Sequence, residues 1–386
     1  MPVSFPPMIT TQERQARVVK LCALMAEQGS DAVLLSASTN LRYFTGINWH
    51  LSERFLGAII HADGAIDYVA PHFELDKVGS LISLPGEVMT WQEEDNPYAK
   101  IARRMGDRKK LALDDQLPIF MYRQLRAELD EDRLPDAGPM ATHLRSRKSP
   151  AEIALMTRAK EITLEVHKRA HANLKEGMLA SEVAAFIDQQ HRELAGAKST
   201  FCIASFGEDT SLPHGGEGDR ALQAGDVVLI DTGTQIDGYN SDITRTYVFG
   251  EPTDQMREIW DIEKAAQAAA FSAAELGKPC HSVDDAARGV IVAAGYGPDY
   301  SLPGVPHRTG HGIGLDIHEA PNLVRGDETK LDIGMCFSNE PMMVVPGQFG
   351  IRLEDHFHMT AEGAKWFTQP QYSLDEPFAD VAPLRP

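Results

Sequence analysis

The chain has 386 residues, 43% hydrophobic and 24% charged, which excludes collagen-like, low-complexity and disordered classes and suits two domains. Lys+Arg minus Asp+Glu is 37 − 56 = −19, so the chain repels phosphate backbones and anionic lipid, and neither nucleic acid nor membrane is an expected partner. No apolar run reaches the roughly 18–20 residues that span a bilayer, the N-terminus does not read as a secretory signal, and the four scattered cysteines, without a CxxC pair, fit a reducing cytoplasm.

Along the chain, Thr10 and Glu13 have capping-box spacing ahead of an amphipathic helix predicted to end near Gly29. Apolar runs at Asp31–Ser36, Phe55–His61 and Ala65–Ala70 read as strands, and Glu74–Ile82 and Pro118–Leu129 as helices. Strands alternating with helices indicate an α/β layer structure, and this half carries no catalytic signature. The basic, polar stretch Arg145–Pro150 marks a boundary, giving expected domains at 1–145 and 146–386.

Ser149-Pro150-Ala151-Glu152 combines an N-cap serine, proline at the first helical position and glutamate three residues past the cap. The helix it starts should reach about Gly177, with a second from Ser181. The punctuation then recurs, with a helix from near Thr253 to about Gly277 and another from near Ser282. A strand run follows each helix pair. Gly225 precedes Asp231 by 231 − 225 = 6 residues, and Gly334 precedes Glu340 by 340 − 334 = 6. The runs DVVLID and MCFSNE each end in an acid, which points to an internal duplication, helix–helix–hairpin twice.

Asp231 and Asp242 fall on one predicted hairpin, Glu340 and Glu354 on two strands joined at Pro346-Gly347. Duplicated hairpins would gather four carboxylates, which cannot all stay ionised in a low dielectric unless cations neutralise them. The segment HRTGHGIGLDIHEAP adds His307, His311 and His318 among four glycines. One imidazole with four carboxylates is an oxygen-rich set suited to Mn, Co, Fe or Zn in a paired site. Such a site hydrolyses. Each residue also has a plain structural reading: the aspartates as turn formers beside glycine, Glu340 as a strand-edge charge, His311 as a hydrogen-bonded histidine. The mirrored placement is what favours ligands.

The stretches DTG…YNSDITRT (Asp231 to Thr246), HRTGHGIGLDIHE (His307 to Glu319), NEP (Asn339 to Pro341) and GIRLED (Gly350 to Asp355) resemble the creatinase/aminopeptidase P/prolidase metallopeptidases, of pita-bread fold. STNLRYFTG (Ser38 to Gly46) is similar to the small α/β domain that precedes the catalytic domain in prolidases and aminopeptidases P. The resemblance implies a pseudo-twofold catalytic domain and two divalent ions, manganese first, with cobalt or zinc as alternatives. Asp231 would bind one ion, Asp242 and Glu354 would bridge both, and His311 and Glu340 would complete the other. Glu340 would also act as base. His214 and His318 would position substrate and assist catalysis, His307 would flank the proline pocket, and Arg352 would hold a ligand carboxylate.

His356, His358 and Tyr239 receive no role, the two histidines being expected on the outside of their strand or against the neighbouring layer. One departure stands out. Where many relatives carry tyrosine four residues after the NEP glutamate this chain has Val344, and Met342 replaces the usual glycine. The resemblance implies a cytoplasmic, homodimeric Xaa-Pro dipeptidase acting on small peptides with proline second. The rivals are aminopeptidase P activity on longer peptides, creatinase-like cleavage of a small nitrogenous compound, and a non-catalytic peptide-binding cleft.

Overall fold

A computed structural model describes residues 4–107 and 109–384. The ends of the two expected domains, residues 1–3 and 385–386, lie outside the described residues. The described chain forms two compact units, one of residues 9–145 and the other of 146–384 together with 4–8.

The first unit contains α1 (Thr11–Gln28), β1 (Ala32–Leu35), α2 (Thr39–Thr45), β2 (Gly57–His61), β3 (Ile66–Pro71), α3 (Leu75–Leu81), β4 (Glu87–Trp91), α4 (Pro97–Met105), β5 (Leu111–Leu113), α5 (Ile119–Glu128) and most of α6 (Gly138–Ser146). Its mixed sheet runs β4-β3-β2-β1-β5, with β1 buried along its whole length. Thr10 Oγ1 accepts from Glu13 N at the start of α1, while the Glu13 carboxylate accepts from Arg17.

The second unit opens with α7 (Pro150–Asn173) and α8 (Ala180–Ala195), followed by β6 (Phe201–Phe206), β7 (Val227–Gly233), β8 (Gln235–Ile236), β9 (Tyr239–Asn240) and β10 (Ile243–Val248). It continues with α9 (Asp254–Ala273), α10 (His281–Ala293), β11 (Gly310–Gly312), β12 (Glu319–Leu323), β13 (Cys336–Asn339), β14 (Met342–Val345), β15 (Phe349–Arg352), β16 (Asp355–Thr360) and β17 (Gly363–Trp366). The capping box at Ser149 and Glu152 is formed from both sides.

The duplication is visible in backbone detail. Both α7 and α9 stop four residues before a glycine, Gly177 (φ 85°) or Gly277 (φ 79°), because the chain leaves the helix at Leu174 or Ala274. Each glycine N–H then donates over 2.8 Å to a leucine carbonyl, Leu222 or Leu331, and each leucine N–H returns a bond of 2.9 Å, to Met178 or Lys278. Three residues on, Gly225 (φ 88°) and Gly334 (φ 84°) turn the chain into β7 and β13 in the left-handed conformation that glycine adopts without strain. Strand β7 pairs antiparallel with β10 as β13 does with β16. The repeats join where Thr244 bridges Glu354 in antiparallel fashion. An apolar core that includes Ile259, Trp260, Phe337 and Phe357 backs the second repeat.

Candidate metal centre

Asp231 lies on β7, opposite Thr244 of β10. Asp242 immediately precedes β10, Glu340 follows β13, and Glu354 immediately precedes β16. Antiparallel pairing within each repeat and the Thr244–Glu354 bridge between them bring these acids together. The local sequence allows it because small residues admit the backbone: a Cβ on Gly233 would lie 2.0 Å from Ser241 O, and one on Gly310 would lie 2.1 Å from Ser338 O.

His311 sits on the short strand β11, with its N–H donating to Ser338 Oγ. Its Nδ1 is 2.9 Å from Gly312 O, and since a carbonyl only accepts, Nδ1 carries the proton. Nε2 lies 3.1 Å from Glu340 Oε1 and 3.7 Å from Asp242 Oδ2, where the protonated ring bonds the Glu340 carboxylate and the neutral ring has its lone pair for an ion. Ser338 Oγ donates to Glu340 Oε1. Arg352 Nη2 donates to Asp231 Oδ2 over 2.6 Å, and Thr244 Oγ1 donates to Glu354 Oε2 over 2.7 Å.

Asp231 Oδ1, Asp242 Oδ1 and Glu354 Oε1 are buried and have no hydrogen-bond partner among the described residues. Burial pushes all three groups above the usual carboxylate range, and the neighbouring acids push Asp242 and Glu354 well above it. The Arg352 charge opposes the rise at Asp231 and Glu354. Burial also works against charge on Glu340, but His311, His307 and Arg352 outweigh it and hold Glu340 below its ordinary value. Oxygens buried, aimed at one another and short of donors make a set that divalent cations neutralise, so the residues present fit a metal centre. Three groupings fit individually: His311–Glu340–Glu354, Asp242–His311–His318 and Asp242–Glu354–His356.

These acids form one wall of a cavity of about 740 Å³. His214, His307 and His318 also line it, as do Phe201, Ile203 and Tyr300. His318 lies with its ring 4.1 Å from that of His311, and burial, aided by His311 and Arg308, lowers its pKa to about 4. His307 Nδ1 donates to Arg308 O. Every residue singled out in the sequence for the site therefore lines this cavity. Val344 is buried in β14, packed with Leu229 and Met342, and no hydroxyl stands at its position.

Four contributions were not foreseen. Arg308 lines the cavity with a guanidinium that makes no ion pair or hydrogen bond among the described residues; its place between His307 and His311 in the motif was the available signal. Arg245, fully buried, donates to Glu354 O and to Asp355 Oδ1 and so fixes the backbone beside an acid of the cavity wall. His356 was expected to lie outside its strand or against the neighbouring layer. It is instead wholly buried beside Glu354, because β16 is covered on both faces and alternation no longer separates inside from outside. Tyr239, expected only to pack, also donates to Glu152 Oε1 at the start of α7.

Residues 154–361 match the sequence profile of metallopeptidase family M24, and residues 17–147 that of the creatinase/prolidase N-terminal domain. The chain is 32% identical to an Xaa-Pro dipeptidase of Lactobacillus delbrueckii subsp. lactis, over 92% of this chain and 97% of that one. It is 31% identical to the Xaa-Pro dipeptidase of Lactobacillus helveticus over the same shares. Among solved structures, dipeptidase PepE from Mycobacterium ulcerans superposes with a TM-score of 0.90 at 31% identity, covering 96% of this chain and 99% of that one. A prolidase from Thermococcus sibiricus superposes with a TM-score of 0.84 at 30% identity, covering 93% and 98%.

Proposed function

Because the chain belongs to metallopeptidase family M24, we propose that it hydrolyses Xaa-Pro dipeptides at a centre of two divalent ions. The observation that carries this reading is the convergence of three unpartnered buried carboxylate oxygens with Nε2 of His311 on one wall of a substrate-sized cavity. Asp231 would hold one ion, Asp242 and Glu354 would serve both, and His311 with Glu340 would hold the other. The preponderance of oxygen donors favours manganese, with cobalt and zinc as alternatives.

Bound divalent ions lower the pKa of a shared water and polarise the scissile carbonyl. The protein's own groups do the rest. Glu340, kept ionised by His311, His307 and Arg352, accepts the proton released by the attacking water. His318, its pKa lowered, hydrogen-bonds the peptide group, and His214 on the cavity wall steadies the substrate. His307 flanks the proline ring. The bond before proline is a tertiary amide without N–H, so the site needs no acceptor for one.

Arg308 favours dipeptides over longer chains. A free guanidinium in the cavity wall suits the C-terminal carboxylate of a two-residue substrate, which a longer peptide lacks at that point. Retention of all five ligand residues favours peptidase chemistry over cleavage of a small nitrogenous compound. Assays of Gly-Pro, Ala-Pro and Ala-Pro-Ala with and without chelator test the proposal. Chelator-sensitive cleavage of the dipeptides is expected, and chelator-insensitive cleavage or none at all in the presence of Mn, Co or Zn overturns it.

A cytoplasmic homodimer completes the proposal: the location is supported by four free thiols, and the dimer by the resemblance to prolidases alone. Light scattering on the purified protein measures the dimer.

A further inference from the structure

Strand β16 places Asp355, Phe357 and Met359 on one face, and Phe357 and Met359 join the apolar core. Glu354, His356 and His358 alternate onto the other. His356 is fully buried there, and neither of its ring nitrogens has a hydrogen-bond partner among the described residues. Burying an imidazole in that condition is costly, so a residue kept only for packing would be apolar. Its surroundings are not apolar, however. His356 Nε2 lies 3.9 Å from Glu354 Oε1, itself unpartnered, and the nearby Asp242 also carries an unpartnered oxygen. Ligand-type atoms of Asp242, Glu354 and His356 all lie within 4.8 Å of one another.

Two nitrogen or oxygen donors on one divalent ion, each at about 2.0–2.2 Å, stand no more than about 4.3 Å apart. The 3.9 Å between His356 and Glu354 meets that limit, as does the 3.7 Å between His311 Nε2 and Asp242 Oδ2. The two imidazole rings are 6.5 Å apart, so they do not compete for the same space.

We propose that His356 is a second imidazole ligand of the metal centre, binding the ion shared by Asp242 and Glu354. This rests on the metal-centre reading above. A second nitrogen donor moves the site away from manganese and towards cobalt or zinc, because imidazole suits those ions better than carboxylate does.

The test is proton NMR of the Co(II)-loaded full-length protein, in which the N–H protons of cobalt-bound imidazoles are shifted far from the protein envelope and exchange with solvent. The wild type should show two such resonances. His356→Gln and His356→Phe should each lose one, and His311→Gln the other. Metal competition should show H356Q losing about tenfold or more of its preference for Co over Mn. A single resonance in the wild type, abolished by H311Q and untouched by H356Q, overturns the assignment of His356 while leaving the metal centre intact. Absence of any cobalt binding by the wild type overturns both. The wild-type count stands even where a variant fails to fold.

Discussion

Arg352 Nη2 lies 2.6 Å from Asp231 Oδ2, joining β15 of the second repeat to β7 of the first. The same guanidinium donates from Nε to Thr244 Oγ1, which in turn donates to Glu354 Oε2. One buried arginine thus orients two acids from opposite repeats. Each acid gives one oxygen to the protein and has the other buried without a partner among the described residues. Replacing Arg352 with methionine should weaken Co(II) or Mn(II) binding about 10–100-fold, by calorimetric titration, with the circular dichroism spectrum unchanged. Lysine should rescue only in part, having no fork with which to reach both Asp231 and Thr244.

Arg308→Met isolates the carboxylate contact. A charge-assisted hydrogen bond is worth about 1.5–3 kcal/mol, so kcat/KM for Ala-Pro should fall about 10–100-fold. Alanyl-prolinamide, which has no carboxylate, should lose less than about threefold. Equal losses on both substrates would remove Arg308 from substrate recognition.

Removal of the metal should be felt in stability as well as rate. A ligand present at 100 times its dissociation constant adds about 2.7 kcal/mol to the folded state. Dialysis against chelator should therefore abolish hydrolysis of Ala-Pro and lower the thermal midpoint together, and readdition of Mn, Co or Zn should restore both. The metal giving the larger shift at equal concentration is the tighter ligand.

Arg245 and Asp355, both wholly inaccessible to solvent, are paired at 2.7 Å. Breaking such a pair from one side leaves a buried charge and costs about 3–5 kcal/mol. Arg245→Met should show that loss in denaturant unfolding, and adding Asp355→Asn should recover part of it. Additive losses would mean that the two charges do not depend on each other.

The first unit carries a pH-dependent contact of its own. Burial pushes Asp67 up, but hydrogen bonds and charge from Arg104 and His61 outweigh it and hold Asp67 below its ordinary value of 3.8. A carboxylate with a depressed folded pKa contributes stability that is fully present above its unfolded pKa and is lost as pH falls through the folded one. The window is therefore below about pH 4. Arg104 is 43% exposed, so screening limits the contribution to about 1 kcal/mol. Arg104→Met should flatten the stability profile between about pH 4 and pH 2 in urea titrations, and an unchanged slope would show that the pair carries no linkage.

The legible parts of the sequence were those with local physics behind them. Ser149 and Glu152 announced α7 because a capping box satisfies orphan N–H groups within four residues. The acids were legible because each copy of a repeat ended a strand in one. Helix ends were less so: α7 and α9 stop before Gly177 and Gly277, since those glycines serve the turns to Leu222 and Leu331, which are distant in sequence. His356 was missed for a related reason. Alternation along β16 identifies two faces, but only the tertiary fold reveals that both are covered. Arg308 and Arg245 stood inside matched motifs, where charge alone does not distinguish a ligand contact from a buried clamp.

Asp231 and Glu354 are separated by 354 − 231 = 123 residues, yet they are tied to one another through Arg352 and Thr244. During synthesis, therefore, the first repeat leaves the ribosome with its acidic side chains and none of their eventual partners from the second. A polypeptide halted between the repeats holds no completed ion-binding cage, only mutually repelling aspartates. On the proposed reading, ions should therefore bind only after the second repeat has closed over the first.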